Sequence, residues 1–346
     1  MSTEPQLSRL IFAGVAGPDL SVEEIAALGE LQPGGVTLFS RNLRSLQQVH
    51  DLICGLRECA RQPLVVAIDV EGGPVNRLTA VDPRLGALPA ARVQATWGPG
   101  RLVRIWEHVG RLLASVGIDL DFAPVVDLAG GTANNGLAER SFAADPRAVL
   151  SAARAVLEGL EQADRAGCLK HFPGLGGTAV DTHRALATSP HDVDQLWEQH
   201  LLPFRALADR APAVMMAHAA YPAIEADRPA SLCPTIVTGW LRERLGYDGV
   251  VFSDDLAMGA LDGCGPAGER ARAVLAAGAD VALFCHDLDQ PRRARDAVAG
   301  AVQRGVLDVA AITRSAARVE TLIREPAVSV DPQLALETLL DEIQAR

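Results

Sequence analysis

The chain contains no long apolar run. No stretch approaches the ~20 residues needed to cross a bilayer. Residues Met1 to Arg9 carry Glu4 and Pro5, and the apolar run Leu10 to Ala16 is short and lacks a basic leader, so a cytoplasmic chain without a targeting segment is expected. Positive charge is also in deficit: 32 Lys and Arg stand against 43 Asp and Glu, a net charge of -11. The basic residues are scattered among acids, which leaves no basic face for nucleic acid or an anionic membrane surface. The six cysteines (Cys54, Cys59, Cys168, Cys233, Cys264 and Cys285) show no C-x-x-C spacing, so a disulfide scaffold is excluded and reduced, buried thiols are expected. Aromatics make up 4% of the chain, and Trp97, Trp106, Trp197 and Trp240 do not cluster along it.

What is present is ordinary globular material, 49% hydrophobic and 22% charged over 346 residues. Short runs rich in Val, Ile and Ala alternate with longer segments of helical period. The expected strands are Leu10–Val15, Gly35–Phe39, Leu64–Ile68, Ile118–Phe122, Gly167–Lys170, Ala213–Ala217, Gly249–Phe252 and Asp280–Phe284. Near-continuous apolar strands fit a parallel sheet buried on both faces. Helix starts are legible between them. Ser21 with Glu24 and Asp192 with Gln195 read as capping boxes, and Asp145-Pro146 as an N-cap followed by a first-turn proline. Gly34, Gly35, Gly117, Gly167 and Gly249 precede strands, where loops often need positive φ. Eight strand-then-helix units without a hairpin signal predict one (β/α)8 TIM barrel over residues 1–346, an α/β fold with a C-terminal helical extension from about 327 starting near Asp331-Pro332. An open doubly wound sheet would carry a glycine-rich turn after the first strand, and Ala16-Gly17-Pro18 is a poor one.

In such barrels the chemistry sits at the C-terminal ends of the strands. Polar groups fall there in number: Asp69 and Glu71 after the third strand, Asp119, Asp121 and Asp127 along and after the fourth, Lys170 and His171 on the fifth. His218 follows the sixth strand, Asp254 and Asp255 end the seventh, and His286 and Asp287 follow the eighth. The other end of the barrel shows nothing comparable. The long connection from Lys170 to His183 is glycine-rich, and its length allows a loop that closes only on binding. Asp181 and His183 are one residue apart, so an extended backbone points both the same way, and a carboxylate beside an imidazole suits a general acid and base. A surface ion pair is the plain alternative. The connection Asp127 to Ser141 offers Asn134, Asn135, Glu139 and Arg140, suited to hydroxyl-rich ligands or to a surface loop. Of Asp254 and Asp255 only one is expected to face the barrel mouth, as a nucleophile, with the other a scaffold.

At these motifs the chain resembles the single-domain bacterial β-N-acetylglucosaminidases of glycoside hydrolase family 3. The resemblance is carried by AIDVEGGPVNRL (Ala67 to Leu78), IDLDFAPVVDL (Ile118 to Leu128), ERSFAADP (Glu139 to Pro146), KHFPGLGGTAVDTH (Lys170 to His183), MAHAAYPAIEADRPAS (Met216 to Ser231) and GVVFSDDLAMGAL (Gly249 to Leu261). It implies a (β/α)8 barrel, Asp254 as nucleophile, and His183 as acid/base with Asp181 as its partner. It implies sugar contacts from Asp69, Arg77, Arg140, Lys170 and His171, and His218 joins them as an expected substrate-binding residue. The implied activity is retaining hydrolysis of terminal β-linked N-acetylglucosamine, with peptidoglycan-derived muropeptides as candidate substrates. No cofactor and no metal are required, and a monomer or weak homodimer is expected, its one partner a small saccharide. Leu175, Pro74 and Val70 depart from residues common in the family. The few aromatics argue for a pocket that takes one terminal sugar rather than a long cleft.

Other readings remain to be weighed. A chitinase-like enzyme is suggested by Gly117 to Asp121, but position 123 is Ala where that chemistry needs a glutamic acid. A metal-dependent hydrolase would use His171, His183, His218 and Asp254 as ligands, against which stands Lys170 beside them. Phosphate instead of water as acceptor keeps the fold and changes the reaction. A non-catalytic sugar-binding protein is disfavoured because nucleophile and acid/base positions are both occupied.

Overall fold

The computed structural model describes residues 4–130, 135–324 and 330–345. Eight parallel strands close into a barrel: β1 (Ile11–Ala13), β2 (Gly35–Leu38), β3 (Val65–Ile68), β4 (Leu120–Asp121), β5 (Ala166–Phe172), β6 (Ala213–Met216), β7 (Val250–Asp255) and β8 (Val281–Leu283). Each expected strand is found, with β5 and β7 running two or three residues further toward the rim. Closure is made by β1, whose Ile11 pairs with Ala282 and whose Phe12 pairs with Gly35.

The inner lining alternates along the strands, as a closed parallel sheet demands. Phe12, Val65, Ala67, Leu120, Phe122, Cys168, Met215, Phe252 and Leu283 fill the barrel. Phe252 meets Phe12 and Phe122 edge-on at 5.1 and 5.3 Å. The outward residues pack under helices whose buried stripes repeat every three or four positions. In the helix Pro99–Val116 that stripe is Leu102, Ile105, Trp106, Val109, Leu112, Leu113 and Val116. The capping boxes at Ser21 and Asp192 and the N-caps at Asp145 and Asp331 are formed as read from the sequence. The last helix, Pro332–Gln344, packs on Pro99–Val116.

Several details differ from the sequence reading. Gly117 alone of the five pre-strand glycines has positive φ (92°). Gly34 and Gly35 are instead required for space, because a Cβ would strike the Arg9 carbonyl and the Phe12 ring. Two hairpins stand on the rim where none was expected. The first joins Val70–Gly72 to Val75–Asn76 through Gly72 and Gly73, both at positive φ. The second joins Ala219–Tyr221 to Glu225–Pro229, with Ala187–Thr188 alongside. The opposite end of the barrel is not bare either. Asp119, at the start of β4, accepts from the backbone of Val66 and Arg324 and pairs with Arg57 at 3.3 Å. Asp280 likewise accepts from Ser315 at 2.7 Å and pairs with Arg242 and Arg318. Asp119 therefore belongs to the stabilising end, not to the rim.

No cysteine is bridged, but Cys54 is exposed and Cys59 and Cys264 are half-buried, so burial holds for Cys168, Cys233 and Cys285 only. Trp197 and Trp240 meet edge-on at 5.8 Å across two outer helices, with Arg244 over the Trp197 ring. Among the described residues no helix is long and apolar enough to cross a membrane.

Candidate active site

The C-terminal mouth of the barrel opens into a cavity of about 340 Å³. Its floor is apolar, made by Phe122 just after β4 and by Met215 and Leu283 from β6 and β8. Its walls are polar, and the sequence-predicted residues Asp69, Arg77, Arg140, Lys170, His171, His183 and Asp254 all reach it. Asp181 stands behind His183.

One wall is a charge network assembled from three separate connections. Lys170 Nζ lies 2.7 Å from Asp69 Oδ1 and 2.6 Å from a Glu71 oxygen. Glu71 in turn receives two hydrogen bonds from Arg140, through Nε and Nη2, both at 2.8 Å. Arg77 approaches Asp69 at 3.7 Å and lies over the Phe39 ring. Burial alone would push the Glu71 carboxyl up, but the Arg140 guanidinium and Lys170 ammonium outweigh it and hold the group well below the glutamate range. Burial likewise pulls Lys170 down, and the Asp69 and Glu71 carboxylates reverse this, so the ammonium stays charged while almost wholly buried. The hairpin bearing Glu71 is clamped from behind: Gln94 donates to the Glu71 carbonyl at 2.8 Å, and Trp106 donates to Gln94 at 3.0 Å. Glu71 completes the site and was not singled out from the sequence as a functional residue. The signal available was a carboxylate two positions after Asp69, ahead of a Gly-Gly turn.

Asp121 lies beneath this wall, fully buried. It accepts from the Val70 backbone at 2.9 Å, and its Oδ2 has no partner among the described residues. Burial pushes its carboxyl well above the ordinary range, and Asp69 and Glu71 add to the shift against Lys170.

The second wall is the end of β7. Asp254 accepts from the Asp255 backbone at 2.8 Å. Burial raises the Asp254 carboxyl, but the imidazoles of His171, His218 and His183 more than offset it and hold the group below its usual value, hence ionised. Asp255 also edges onto the cavity, because the register of β7 slips between Phe252 and Asp255 and strict alternation is lost there. Its Oδ1 is committed to the backbone N–H groups of Ala257 and Cys285, at 3.0 and 3.3 Å, which leaves it the scaffold role.

His218 does not line the cavity. It is fully buried, its Nδ1 2.7 Å from Ser231 Oγ and its Nε2 3.2 Å from the Asp255 carbonyl. A carbonyl only accepts, so Nε2 carries the proton and Nδ1 accepts from the serine. Both ring nitrogens are spent inside the protein, so the expected sugar contact gives way to a positioning role under Asp254.

The third wall is the loop from Lys170 to His183. Asp127 anchors its start: one carboxylate receives the His171 ring at 2.7 Å, the His171 backbone, and the Leu175 N–H at 2.7 Å. Tyr221 donates to the Gly174 carbonyl at 2.8 Å. At the far end, Asp181 Oδ1 meets His183 Nδ1 at 2.8 Å and the His183 backbone at 3.0 Å. The loop then docks on the segment after β7, with Gly259 and Ala260 donating to the carbonyls of His183 and Thr182. His183 therefore lines the same cavity as Asp254, its side chain 67% exposed.

Of the residues that depart from the family pattern, Leu175 is buried in the loop, Val70 is buried at the hairpin, and Pro74 lines a neighbouring cavity. That cavity, about 390 Å³, shares Val75, Arg140 and His183 with the first. Asn135 turns inward to cap its own segment, and Asn134 lies outside the described residues. The alternative metal set does not assemble: among the described residues no group of three or more His, Cys, Asp or Glu is placed to hold an ion.

A parallel barrel whose mouth joins an ionised carboxylate, a carboxylate-paired imidazole and a wall of fixed cations and anions is built to cut a hydroxyl-rich substrate, and the class it defines is that of the barrel glycoside hydrolases. Residues 5–322 match the glycosyl hydrolase family 3 N-terminal domain, and the chain belongs to that family. It is 40% identical over 282 residues to a protein of Stenotrophomonas maltophilia (strain R551-3) named beta-hexosaminidase, covering 80% of this chain and 83% of the relative. A beta-hexosaminidase of Xylella fastidiosa (strain M23) is 39% identical over 305 residues, covering 85% and 88%. Among solved structures, a family 3 β-N-acetylglucosaminidase from Paenibacillus sp. str. FPU-7 superposes with a TM-score of 0.90 at 32% identity, covering 99% of this chain and 68% of that one. M. tuberculosis LpqI gives 0.85 at 32% identity, covering 94% of each.

Proposed function

We propose that this hydrolase is a retaining β-N-acetylhexosaminidase that releases terminal N-acetylglucosamine from β-linked saccharides through a covalent glycosyl-aspartate. The observation that carries the reading is the meeting of Asp254 and the His183–Asp181 pair in one cavity of single-sugar size. The relatives named beta-hexosaminidase and the β-N-acetylglucosaminidase structure support the sugar.

Asp254 attacks C1 while protonated His183 delivers its Nε2 proton to the departing oxygen. Asp181 holds the Nδ1–H throughout and stabilises the imidazolium. The neutral imidazole then takes a proton from water, which displaces the aspartate and restores the starting state. A histidine acid differs from the usual pair of carboxylates in adding no second anion beside the nucleophile, so Asp254 stays ionised. Asp69, Arg77, Arg140, Lys170 and His171 are the groups assigned to the sugar hydroxyls and acetamido group. The neighbouring cavity beyond His183 is assigned to the leaving group, and peptidoglycan-derived muropeptides are the natural substrates we put forward.

Mass spectrometry after incubation with a fluorinated, slow-turnover N-acetylglucosaminide tests the central step. A sugar adduct is expected on the peptide containing Asp254. An inverted product anomer, or an adduct elsewhere, would reject the reading. Equal release rates in phosphate and non-phosphate buffers are expected of a hydrolase, whereas strong acceleration by phosphate would convert it to a phosphorylase.

A further inference from the structure

The proposed acid/base sits on a loop with no regular secondary structure of its own, so something must fix where its imidazole stands. The glycine-rich part of that loop rests on two histidines from the segment that follows it, neither of which touches the cavity. His191 Nε2 lies 2.9 Å from the Gly176 carbonyl. His200 is 5% exposed, and its ring centroid is 4.1 Å from that of His191. A Cβ on Gly174 would come within 3.0 Å of the His200 Cβ, and one on Gly176 within 3.0 Å of its ring, while one on Gly177 would collide with His191 Nε2. The three glycines therefore form a socket for two imidazoles, and a side chain at any of them would lift the loop.

We propose that His191, backed by His200, is a positioning residue for general acid catalysis: it locks the loop at Gly176 and thereby sets the place of His183. The inference rests on the acid/base reading of His183. The carbonyl of Gly176 can only accept, so His191 must carry its proton on Nε2. The neighbouring His200 is kept neutral, since burial and then His191 pull it down to about 4 against the opposing field of Asp127. The uncharged His200 ring backs His191 at an interplanar tilt of 36°. From Gly176 only six residues separate the lock from His183. The near side of the loop has two other pins, Asp127 and Tyr221, but both act at or before Leu175.

The test uses the full-length enzyme and two N-acetylglucosaminides, one with a 2,4-dinitrophenyl leaving group and one with a sugar leaving group such as chitobiose. The activated phenol departs without a proton and the sugar does not, and kcat/KM reports bond cleavage before water attacks, so the ratio of the two kcat/KM values reports acid catalysis alone. In His191→Asn the amide stands at the position of the ring Nδ1 and falls short of Gly176. In His191→Gln it can take the place of Nε2. We expect His191→Asn to lose ~10-fold in kcat/KM on chitobiose and less than about twofold in kcat/KM on the dinitrophenyl substrate, a fraction of the ~10²-fold that a 1 Å misplacement costs. His191→Gln should recover most of the loss. Equal losses on both substrates, or no loss on chitobiose, would overturn the proposal. His183→Ala is run beside them: if it shows no leaving-group selectivity the acid/base reading itself fails, whereas selectivity in His183→Ala with none in His191→Asn sinks this inference only.

Discussion

Glu71→Gln is the perturbation with the most to reveal, because this residue ties the site's cations together. Its side chain is 3% exposed and meets Arg140 twice at 2.8 Å and Lys170 once at 2.6 Å. The amide is isosteric, yet it removes the charge and turns an –NH2 toward one of the cations. Lys170 then keeps only its contact with Asp69, and Arg140 loses its paired carboxylate. Breaking a buried ion pair from one side costs ~3–5 kcal/mol. Arg140 edges onto the cavity, where water reaches it, so the low end applies, about 3 kcal/mol. At roughly 2 °C per kcal/mol for a chain of this size, the melting temperature should fall by about 6 °C. Misaligned Lys170 and Arg140 should also lower kcat/KM on an aryl N-acetylglucosaminide, on the order of 10–100-fold for a charge-assisted contact. The pH dependence has a definite sign. The folded Glu71 carboxyl titrates below its ordinary 4.5, so its stabilisation is fully present above that pH and is lost as pH falls through the folded value. The gap between wild type and variant should therefore be flat from about pH 5 to 8 and shrink in acid. Thermal melts across pH, with Glu337→Gln at the exposed Arg84 pair as control, supply the measurement. A shift no larger than the control's would refute the account of the network.

Asp121→Asn should act in the opposite direction. The folded Asp121 carboxyl titrates well above its ordinary 3.8, so the wild type loses stability as pH rises from 3.8 to the folded value. Asparagine keeps the acceptor for Val70 without titrating, so its advantage in melting temperature should grow with pH over that window. A constant difference would show that Asp121 is ionised in the fold. Asp119→Ala leaves the Val66 and Arg324 N–H groups without their acceptor and Arg57 without its carboxylate at the far end of the barrel. It should cost on the order of 3 kcal/mol in urea unfolding while kcat/KM per folded molecule stays unchanged. A selective loss of kcat/KM would place Asp119 in the site after all. Asp254→Ala should abolish turnover with its melting curve intact, and more than a trace of residual hydrolysis would remove it as nucleophile.

The order of the eight strands and the gathering of Asp69, Lys170, His171, His183 and Asp254 on one rim were legible in the chain itself. Apolar strand periods, caps such as Ser21 and Asp145, and contiguous motifs are local properties, and a parallel barrel places every strand's C-terminal end on the same face whatever the details of packing. Tertiary structure alone decided the rest, because it depends on partners far apart along the chain. Asp119 and Asp121 are two residues apart and so share a face of one strand, yet one ties down the base of the barrel and the other lies under the site; depth along the strand decides between those fates. His218 reads as a rim histidine until Ser231 and the Asp255 carbonyl are seen to occupy both of its nitrogens. Glu71 becomes the keystone of the charged wall only when Arg140 and Lys170, 69 and about 100 positions away, fold against it. Burial and hydrogen-bond saturation convert a polar residue into a ligand or a support, and neither quantity exists until the chain has closed on itself.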